Sequence, residues 1–328
     1  MSAPEQLVSQ SILSQLQLSV AASDVQLGET LQALWSGYGC IVRVHFSEPD
    51  STAILKLVKP PALAKHPRGW NTTASHERKV RSYQIEAHWY QTFASRCDQR
   101  CKVPLLLACG SDESVSWMLL EDLSVDYPDT AHQLSLGETG VCLDWLACFH
   151  AKFVGTVPTG LWSTGTYWHL DTRADELKAM PEGKLKEAAV SLDHRLNACQ
   201  YKTLVHGDAK IANFLFNKQR TVAAAVDFQY VGGGVGSKDL AYFLGSCLDE
   251  HTLLQHEDAL LERYFSTLNH CLQQQHSATF AASVVASWRE LYAIAWTDFY
   301  RFLQGWMPEH KKINRYTRQL ADQAFTQL

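Results

Sequence analysis

The sequence predicts an α+β fold with two lobes: a small N-terminal lobe with an antiparallel sheet and one main helix, and a larger, mainly helical C-terminal lobe. The chain has 328 residues, of which 46% are hydrophobic, and this exceeds what a single core usually holds. Helical and strand-like patterns alternate up to residue 122, and beyond Pro128 the pattern is mostly helical. We therefore predict two domains, residues 1–122 and 123–328.

The elements of the N-terminal lobe follow from periodicity and turn signals. Apolar residues at helical spacing predict helices, and short β-branched runs bounded by turn residues predict strands. The predicted order is a helix over 5–18, strands over 40–46 and 52–58, a loop over 59–73, a helix over 74–96, and strands in VPLLLAC and SVSWMLLED.

Composition excludes several classes of protein. The net charge is −5 without a long run of one sign, which argues against an electrostatic nucleic-acid binder. The nine cysteines are scattered, as is typical of reduced thiols. The N-terminus has no signal-peptide pattern, and no apolar stretch reaches the roughly 18 residues of a membrane span. These features predict a soluble cytoplasmic protein, and they carry no signal of oligomeric state.

The strongest motif lies in residues 204–229, which read LVHGDAKIANFLFNKQRTVAAAVDFQ. Phosphoryl transfer requires a carboxylate that orients the attacking hydroxyl and hard oxygen ligands that hold Mg²⁺ on the phosphates of ATP. Asp208 fits the first role, whereas Asn213, five residues on, and Asp227, after a short strand, fit the second. Asp and Asn are each common in turns, but the combined pattern favours a catalytic site.

Lys210 follows the predicted catalytic aspartate by two residues. In that position its ammonium group would neutralise charge on the phosphoryl group in transfer. The alternative is an ordinary exposed lysine in a loop, which is the commonest environment for this residue type.

His206-Gly207-Asp208, Asn213 and Asp227-Phe228-Gln229 together resemble the aminoglycoside phosphotransferase and choline kinase superfamily. Within it the chain is most similar to the ecdysteroid kinase-like branch, in which Asp-Phe-Gln is usual. The resemblance extends from about residue 30 onward. It implies a protein-kinase-like bilobal fold, ATP and Mg²⁺ as cofactors, and a small-molecule alcohol as acceptor.

The resemblance also implies nucleotide-binding residues in the N-terminal lobe. Lys56, on a predicted strand, matches the lysine that pairs with the α- and β-phosphates. Glu86 is the candidate for its helix partner, with Glu77 as a rival. Gly37 and Gly39 precede a strand, where they would either let backbone N–H groups approach phosphate or form a plain hairpin turn.

Three further segments add to this prediction. Met118–Leu123 matches the hinge that binds adenine, which makes Glu121 and Leu123 candidate nucleotide-binding residues. Asp239 is expected to be structural and to brace the catalytic loop from the start of a C-lobe helix, where an aspartate can cap the N-terminus. The glycines of residues 232–236 lack the Gly-Lys-Ser/Thr of a P-loop and are expected to form a flexible turn at the mouth of the site.

Residues 288–306 contain many aromatic side chains, several at i, i+4 spacing. Such a stripe either lines an acceptor site for an ammonium or sterol-like group or, more commonly, packs in the core. Asp298, within it, would contact a cationic acceptor or lie at the surface.

The sequence thus predicts an ATP-dependent phosphotransferase that acts on a small-molecule hydroxyl. A kinase-fold protein that binds nucleotide without catalysis is the alternative. A protein kinase is disfavoured, since Gly207 replaces the arginine that precedes the catalytic aspartate in that class, and no Ala-Pro-Glu motif follows.

Overall fold

The structure is a computed structural model that describes residues 7–48, 50–61 and 73–328. The chain divides into two compact units. The first comprises residues up to Ser95 together with Val103–Val125, and the second comprises Arg96–Lys102 together with Asp126–Leu328. Most of the loop predicted over residues 59–73 lies outside the described residues.

The first unit is built on a five-stranded sheet in the order β1-β2-β3-β5-β4, in which every neighbouring pair is antiparallel. The strands are β1 (Asp24–Ala33), β2 (Gly39–Ser47), β3 (Ser51–Val58), β4 (Leu106–Asp112) and β5 (Val115–Glu121). Alternation along β3 sends Leu55 and Leu57 to one face and Lys56 to the other.

Two helices accompany this sheet, α1 (Gln10–Val20) and α2 (Thr73–Thr92). Ile12 and Leu16 of α1 are fully buried in one apolar cluster with the side chains of β2, β3 and β5. The cluster contains Leu55 and Leu57, so α1 covers the face opposite to Lys56. Burying one stripe of α1 supplies the hydrophobic stabilisation that this helix needs.

Strand β1 was not predicted. It lies at the edge of the sheet, and Val25 is its only buried residue. A strand that is exposed along most of its length lacks the apolar alternation on which sequence interpretation depends. The other predicted strands and both helices of this unit are found, with ends that differ by a few residues.

The second unit is mainly helical. Its helices are α3 (Leu136–Phe153), α4 (Ala174–Ala179), α5 (Lys184–Glu187), α6 (Ala189–Ala198), α7 (Ser237–Cys247), α8 (Glu250–Gln273), α9 (Ala278–Glu290), α10 (Tyr292–Trp306) and α11 (Arg315–Phe325). The predicted fold class, a small antiparallel-sheet unit followed by a larger helical unit, is confirmed.

Two short strand pairs carry the motif of the second unit: β6 (Thr203–Val205) with β9 (Gly232–Gly234), and β7 (Phe214–Phe216) with β8 (Ala223–Ala225). The prediction of a flexible glycine turn over 232–236 is wrong, because three of these glycines form the buried strand β9. A Cβ atom on Gly232 would lie 2.3 Å from the carbonyl oxygen of Trp162. These glycines therefore permit close backbone packing.

The aromatic stripe is largely core. Trp288, Tyr292 and Trp296 are buried, and Trp296 Nε1 donates to Thr317 Oγ1 at 3.0 Å. The interpretation of Asp298 as a surface residue was wrong, since it is fully buried and accepts a hydrogen bond from Arg301 Nε at 2.9 Å. Its contact with a cationic acceptor stays a prediction.

All nine cysteines are free thiols. Within the described part of the chain, no helix combines the length and the apolar character that crossing a bilayer requires.

Candidate active site

The loop between β6 and β7 is held by a carboxylate from α7. Asp239 accepts hydrogen bonds from the backbone N–H groups of His206, at 2.5 Å, and Gly207, at 2.9 Å. His150 Nε2 lies 3.1 Å from the same carboxylate. Burial alone would raise the pKa of Asp239, but these partners outweigh burial and lower it, so the group is ionised. Asp239 therefore braces the loop and caps no helix.

His206 is a second brace of the same loop. Its Nδ1 accepts a hydrogen bond from the backbone N–H of Asp208 at 3.2 Å, so its Nε2, 3.0 Å from the carbonyl oxygen of Val226, is the donor. A single proton on Nε2 satisfies both contacts. The ring is fully buried beside Phe228, with the two centroids 4.5 Å apart. This arrangement is typical of a structural histidine.

Gly207 is required by the backbone of the loop. Its φ of +80° lies in the left-handed region, and a Cβ atom would come within 2.0 Å of the carbonyl oxygen of Tyr230. Only glycine meets both conditions. The arginine that protein kinases place before the catalytic aspartate cannot occupy this position.

The loop brings three of the predicted site residues together. Asp208 Oδ2 lies 2.8 Å from Lys210 Nζ and 3.2 Å from Asn213 Nδ2. Burial lowers the pKa of Lys210, but the negative charges of Asp208 and then Asp227 outweigh burial and raise it, so the ammonium group stays protonated. Lys210 is thus bound to the carboxylate and is not an unpartnered loop lysine.

The amide of Asn213 has a fixed orientation. Its Nδ2 donates to the main-chain oxygen of Asp208 at 2.8 Å in addition to the carboxylate, which leaves the amide oxygen as the atom available to a cation. The backbone of Asn213 also accepts the N–H of Val226 at 3.0 Å, next to Asp227. Sequence positions 213 and 227 are therefore held close together in space.

Asp227 itself has a φ of +70°, which is uncommon for a residue other than glycine. Such strain is characteristic of functional sites. Among the described residues there is no group of three or more His, Cys, Asp or Glu side chains that would hold a metal on its own. Mg²⁺ on a nucleotide needs only one or two protein oxygen ligands, since phosphates and water supply the rest. Asn213 and Asp227 fit that requirement.

In the first unit, Lys56 and Glu86 form a buried ion pair. Lys56 Nζ lies 2.6 Å from Glu86 Oε2, and the two residues are 4% and 1% exposed. Glu77, the rival partner, is exposed on the same helix. The strand lysine is therefore positioned by Glu86. The desolvation cost of burying both charges can exceed the free energy of their attraction, so a buried pair of this kind is weak evidence for a purely stabilising role.

Gly37 and Gly39 lie at the tip of the hairpin that joins β1 to β2. Both have positive φ values, +78° and +137°. A Cβ atom on Gly39 would meet the carbonyl oxygen of Leu57 at 2.0 Å, whereas one on Gly37 would have no neighbour within 4 Å. Strand pairing accounts for Gly39, and the open surroundings of Gly37 leave room for a ligand beside the backbone.

The predicted hinge spans the end of β5 and the two residues after it, and Glu121 is the last residue of the strand. Glu121 Oε2 accepts the backbone N–H of Leu105 at 2.9 Å, and Leu123 is buried. The intervening Asp122 binds Arg43 Nε at 2.8 Å. The Glu121 carboxylate thus has a local structural partner, and its nucleotide-binding role stays a prediction that concerns the backbone.

Sequence interpretation missed three side chains near Asp208. The charge of Asp208 contributes to raising the pKa values of Tyr167 and Tyr242, in both cases after burial, and it acts on Lys312 as well. Tyr242 lies in the KDLAYFL segment, only three residues after Asp239, and helical spacing from that residue could have indicated it. No local signal identifies Tyr167 or Lys312, because both come from distant parts of the chain.

Residues 167–277 match the ecdysteroid kinase-like family. The matched segment contains both the loop between β6 and β7 and its brace Asp239, and the match confirms the resemblance that the motif predicts. No curated protein gives a significant match.

Solved structures to which the chain shows similarity include three small-molecule kinases. A microcompartment-associated aminopropanol kinase is 16% identical, with 95% of this chain and 94% of that chain covered and a TM-score of 0.48. A Streptomyces rimosus aminoglycoside phosphotransferase is 14% identical, with 87% and 99% covered and a TM-score of 0.45. A Plasmodium vivax ethanolamine kinase is 10% identical, with 94% and 84% covered and a TM-score of 0.44. Similarity this low does not identify an acceptor.

Proposed function

We propose that the chain is an ATP-dependent phosphotransferase that moves the γ-phosphate of ATP to a hydroxyl group of a small molecule. The observation that carries the proposal is the constellation of Asp208, Lys210 and Asn213 on a loop braced by Asp239, within the segment that matches a kinase-like family. We also propose the cytoplasm, where ATP is supplied, as its location.

The reaction follows from the roles of these residues. Asp208 accepts a hydrogen bond from the acceptor hydroxyl and orients its oxygen toward the γ-phosphorus. As the new oxygen–phosphorus bond forms, the bond to the β–γ bridging oxygen breaks and ADP leaves. The proton of the hydroxyl passes to Asp208 and then to solvent. Lys210, 2.8 Å from Asp208, stabilises negative charge on the transferring group.

Asn213 and Asp227 would hold Mg²⁺ through the amide oxygen and the carboxylate. When bound, this ion neutralises charge on the β- and γ-phosphates. The hydrogen bonds from Asn213 Nδ2 to Asp208 keep the amide oriented, so the metal ligand and the base are positioned by the same contact.

In the first unit, Lys56 would pair with the α- and β-phosphates, and Glu86 would hold it in place. Gly37 and Gly39 would let backbone N–H groups of the hairpin tip approach phosphate, and backbone groups of Glu121 and Leu123 would bind the adenine edge. These assignments come from the family resemblance, together with the buried Lys56–Glu86 pair and the open surroundings of Gly37.

Replacement of the predicted base tests the proposal. Asp208→Ala should remove transfer of phosphate to a panel of alcohols while Mg·ATP still raises the melting temperature, because Asp208 acts on the acceptor. Asp322→Asn, an exposed position on α11, is the matched control and should behave as the unmodified protein. Turnover near the normal rate in Asp208→Ala would refute the assignment.

The alternative, a protein of this fold that binds nucleotide without catalysis, is separated by the same measurements. Stabilisation by Mg·ATP without transfer to any alcohol would support it. Phosphate on peptide hydroxyls alone would instead support a protein kinase.

A further inference from the structure

A group of aromatic rings lies near Asp208 within the second unit. The Tyr167 ring centroid lies 5.4 Å from that of Tyr242 and 5.9 Å from that of Tyr230. On its other side it lies 5.4 Å from the ring of Phe302. Tyr167 and Tyr230 are half-buried, whereas Tyr242 and Phe302 are buried, so the first two are the members of this group that a ligand next to the proposed base could contact.

Lys312 projects from the segment before α11 onto this aromatic group. Its Nζ lies 4.9 Å from the centroid of Tyr242 and 5.2 Å from that of Phe299. Among the residues that the structure describes, no carboxylate lies within ion-pair distance of this ammonium group. Ring faces attract a cation, but they replace only part of the interaction that a carboxylate provides.

The charges around Lys312 also leave its ammonium group without a compensating negative charge. Burial is the main cause that lowers its pKa, to about 8, and the positive charges of Lys311 and Lys210 act in the same direction. The opposing groups are the thiol of Cys247 and the carboxylate of Asp208. Burial raises the pKa of Cys247 to about 12, so that thiol is neutral near pH 7. Asp208 is already paired with Lys210 at 2.8 Å.

A partly buried ammonium group without a counter-ion is costly, and a ligand that brings one would be bound preferentially. Resting on the function proposed above, we propose that the acceptor is an alcohol with an aromatic or apolar body and a carboxylate group, and that Lys312 binds this carboxylate. The body would lie against Tyr167 and Tyr230, and the hydroxyl would reach Asp208.

This inference contrasts with acceptors that carry positive charge. An ammonium-bearing acceptor would place its charge near Lys312 and Lys210, and like charges in partly buried surroundings repel strongly. The transfer step is unchanged: the hydroxyl oxygen bonds to the γ-phosphorus, ADP leaves, and the proton passes through Asp208 to solvent. The carboxylate of the acceptor binds and does not react.

Three matched benzylic alcohols test the charge preference. They are para-(hydroxymethyl)benzoate, its neutral carboxamide and the corresponding benzylammonium, and turnover is followed by ADP release. In the unmodified protein the benzoate should have the highest kcat/KM. Replacing Lys312 by Met should lower the ratio of kcat/KM for benzoate to that for carboxamide about 10- to 100-fold, which is the usual worth of a charged hydrogen bond.

Two further variants complete the experiment. Lys312→Arg retains the charge and should keep most of the preference for benzoate. Lys311→Met removes a neighbouring exposed charge and should leave the ratio within about twofold, since solvent screens it. A normal melting temperature of Lys312→Met, whose unbranched side chain can still cover the rings of Tyr242 and Phe299, excludes misfolding as the cause.

The proposal is overturned if kcat/KM for the carboxamide or the benzylammonium equals or exceeds that for the benzoate. It is also overturned if the benzoate is not a substrate, or if Lys312→Met keeps the preference for benzoate. These outcomes differ from failure of the proposed function. A kinase that uses neutral or cationic alcohols retains that function, whereas a protein that transfers phosphate to no alcohol lacks it.

Discussion

The carboxylate of Asp239 accepts a hydrogen bond from the backbone N–H of Gly207 over 2.9 Å. Together with the N–H of His206, this contact connects α7 to the loop that carries Asp208. Asp239→Ala would leave two buried N–H groups and His150 without their acceptor. We expect a loss of about 3 kcal/mol in the free energy of unfolding, measured by chemical denaturation.

The control for Asp239→Ala is Asp249→Ala. Asp249 also accepts a backbone N–H, from Thr252 at 2.8 Å, but at the exposed start of α8. Loss of such a cap costs about 1 kcal/mol. Equal losses in the two variants would show that Asp239 does not hold the loop.

The Lys56–Glu86 pair gives a second prediction. Glu86→Gln removes the charge that positions Lys56, so kcat/KM for ATP should fall by about 10²-fold, as is typical when a binding group is displaced by about 1 Å. Steady-state kinetics at saturating acceptor measure it. Glu77→Gln, on the exposed side of α2, should have no effect. Identical kinetics for the two variants would contradict the assignment of Glu86.

A third prediction separates two reasons for a glycine. Gly207 and Gly155 have similar φ values, +80° and +75°, but a Cβ atom at Gly155 would have no neighbour within 4 Å. Gly155→Ala should therefore cost only the conformational penalty, about 1–2 kcal/mol. Gly207→Ala adds a clash with Tyr230 and should give an inactive, strongly destabilised protein. Thermal denaturation compares the two, and comparable melting temperatures would rule out the clash.

Glu257 in α8 gives a prediction about pH. Burial raises its pKa to about 7, despite a hydrogen bond with Tyr316 that acts in the opposite direction. Between its ordinary pKa of about 4.3 and this value, the folded protein keeps a proton that the unfolded chain has lost. Stability therefore falls as the pH rises through this interval, and the full penalty remains above it.

Glu257→Gln removes that ionisation. The difference in melting temperature, variant minus unmodified protein, should be larger at about pH 8 than at about pH 5. The exposed Asp322 on α11 supplies the control, because it is not among the groups that shift the pKa of Glu257, and Asp322→Asn should show a much smaller dependence on pH. A difference for Glu257→Gln that is constant across this range would be incompatible with the raised pKa.

Much of the fold could be predicted because its signals are local. The strands β2 and β3 alternate apolar and polar residues around the turn that joins them, and the catalytic motif has fixed spacing. Strand β1 could not be predicted, since pairing with β2, and not apolar burial, stabilises it. The strand Gly232–Gly234 was interpreted as a turn because glycine is typical of turns. The requirement for glycine at Gly232 and Gly233 comes from close contact with the backbone of Trp162–Gly165, which lies far away in the sequence.

In the candidate site, too, the contacts within one loop could be predicted from the sequence, whereas the contacts between distant segments could not. Asp208, Lys210 and Asn213 meet because they share one loop, and short spacing predicts their contact. Glu86 was preferred over Glu77 from the apolar residues around it, and burial agrees with that choice. The neighbourhood of Tyr167 and Lys312, about 145 positions apart in the sequence, depends on how helices pack, which no local pattern encodes.

The glycines of β9 have a practical consequence for redesign. Because Gly232 and Gly233 would each place a Cβ atom within 2.6 Å of a carbonyl oxygen of the opposite segment, libraries that randomise these positions will mostly yield inactive protein. Libraries that vary Tyr167 and Tyr230, which are half-buried, leave the backbone contact of β9 with this segment unchanged. New acceptor preferences should therefore be sought in the side chains that β9 helps to support, with the glycines held constant.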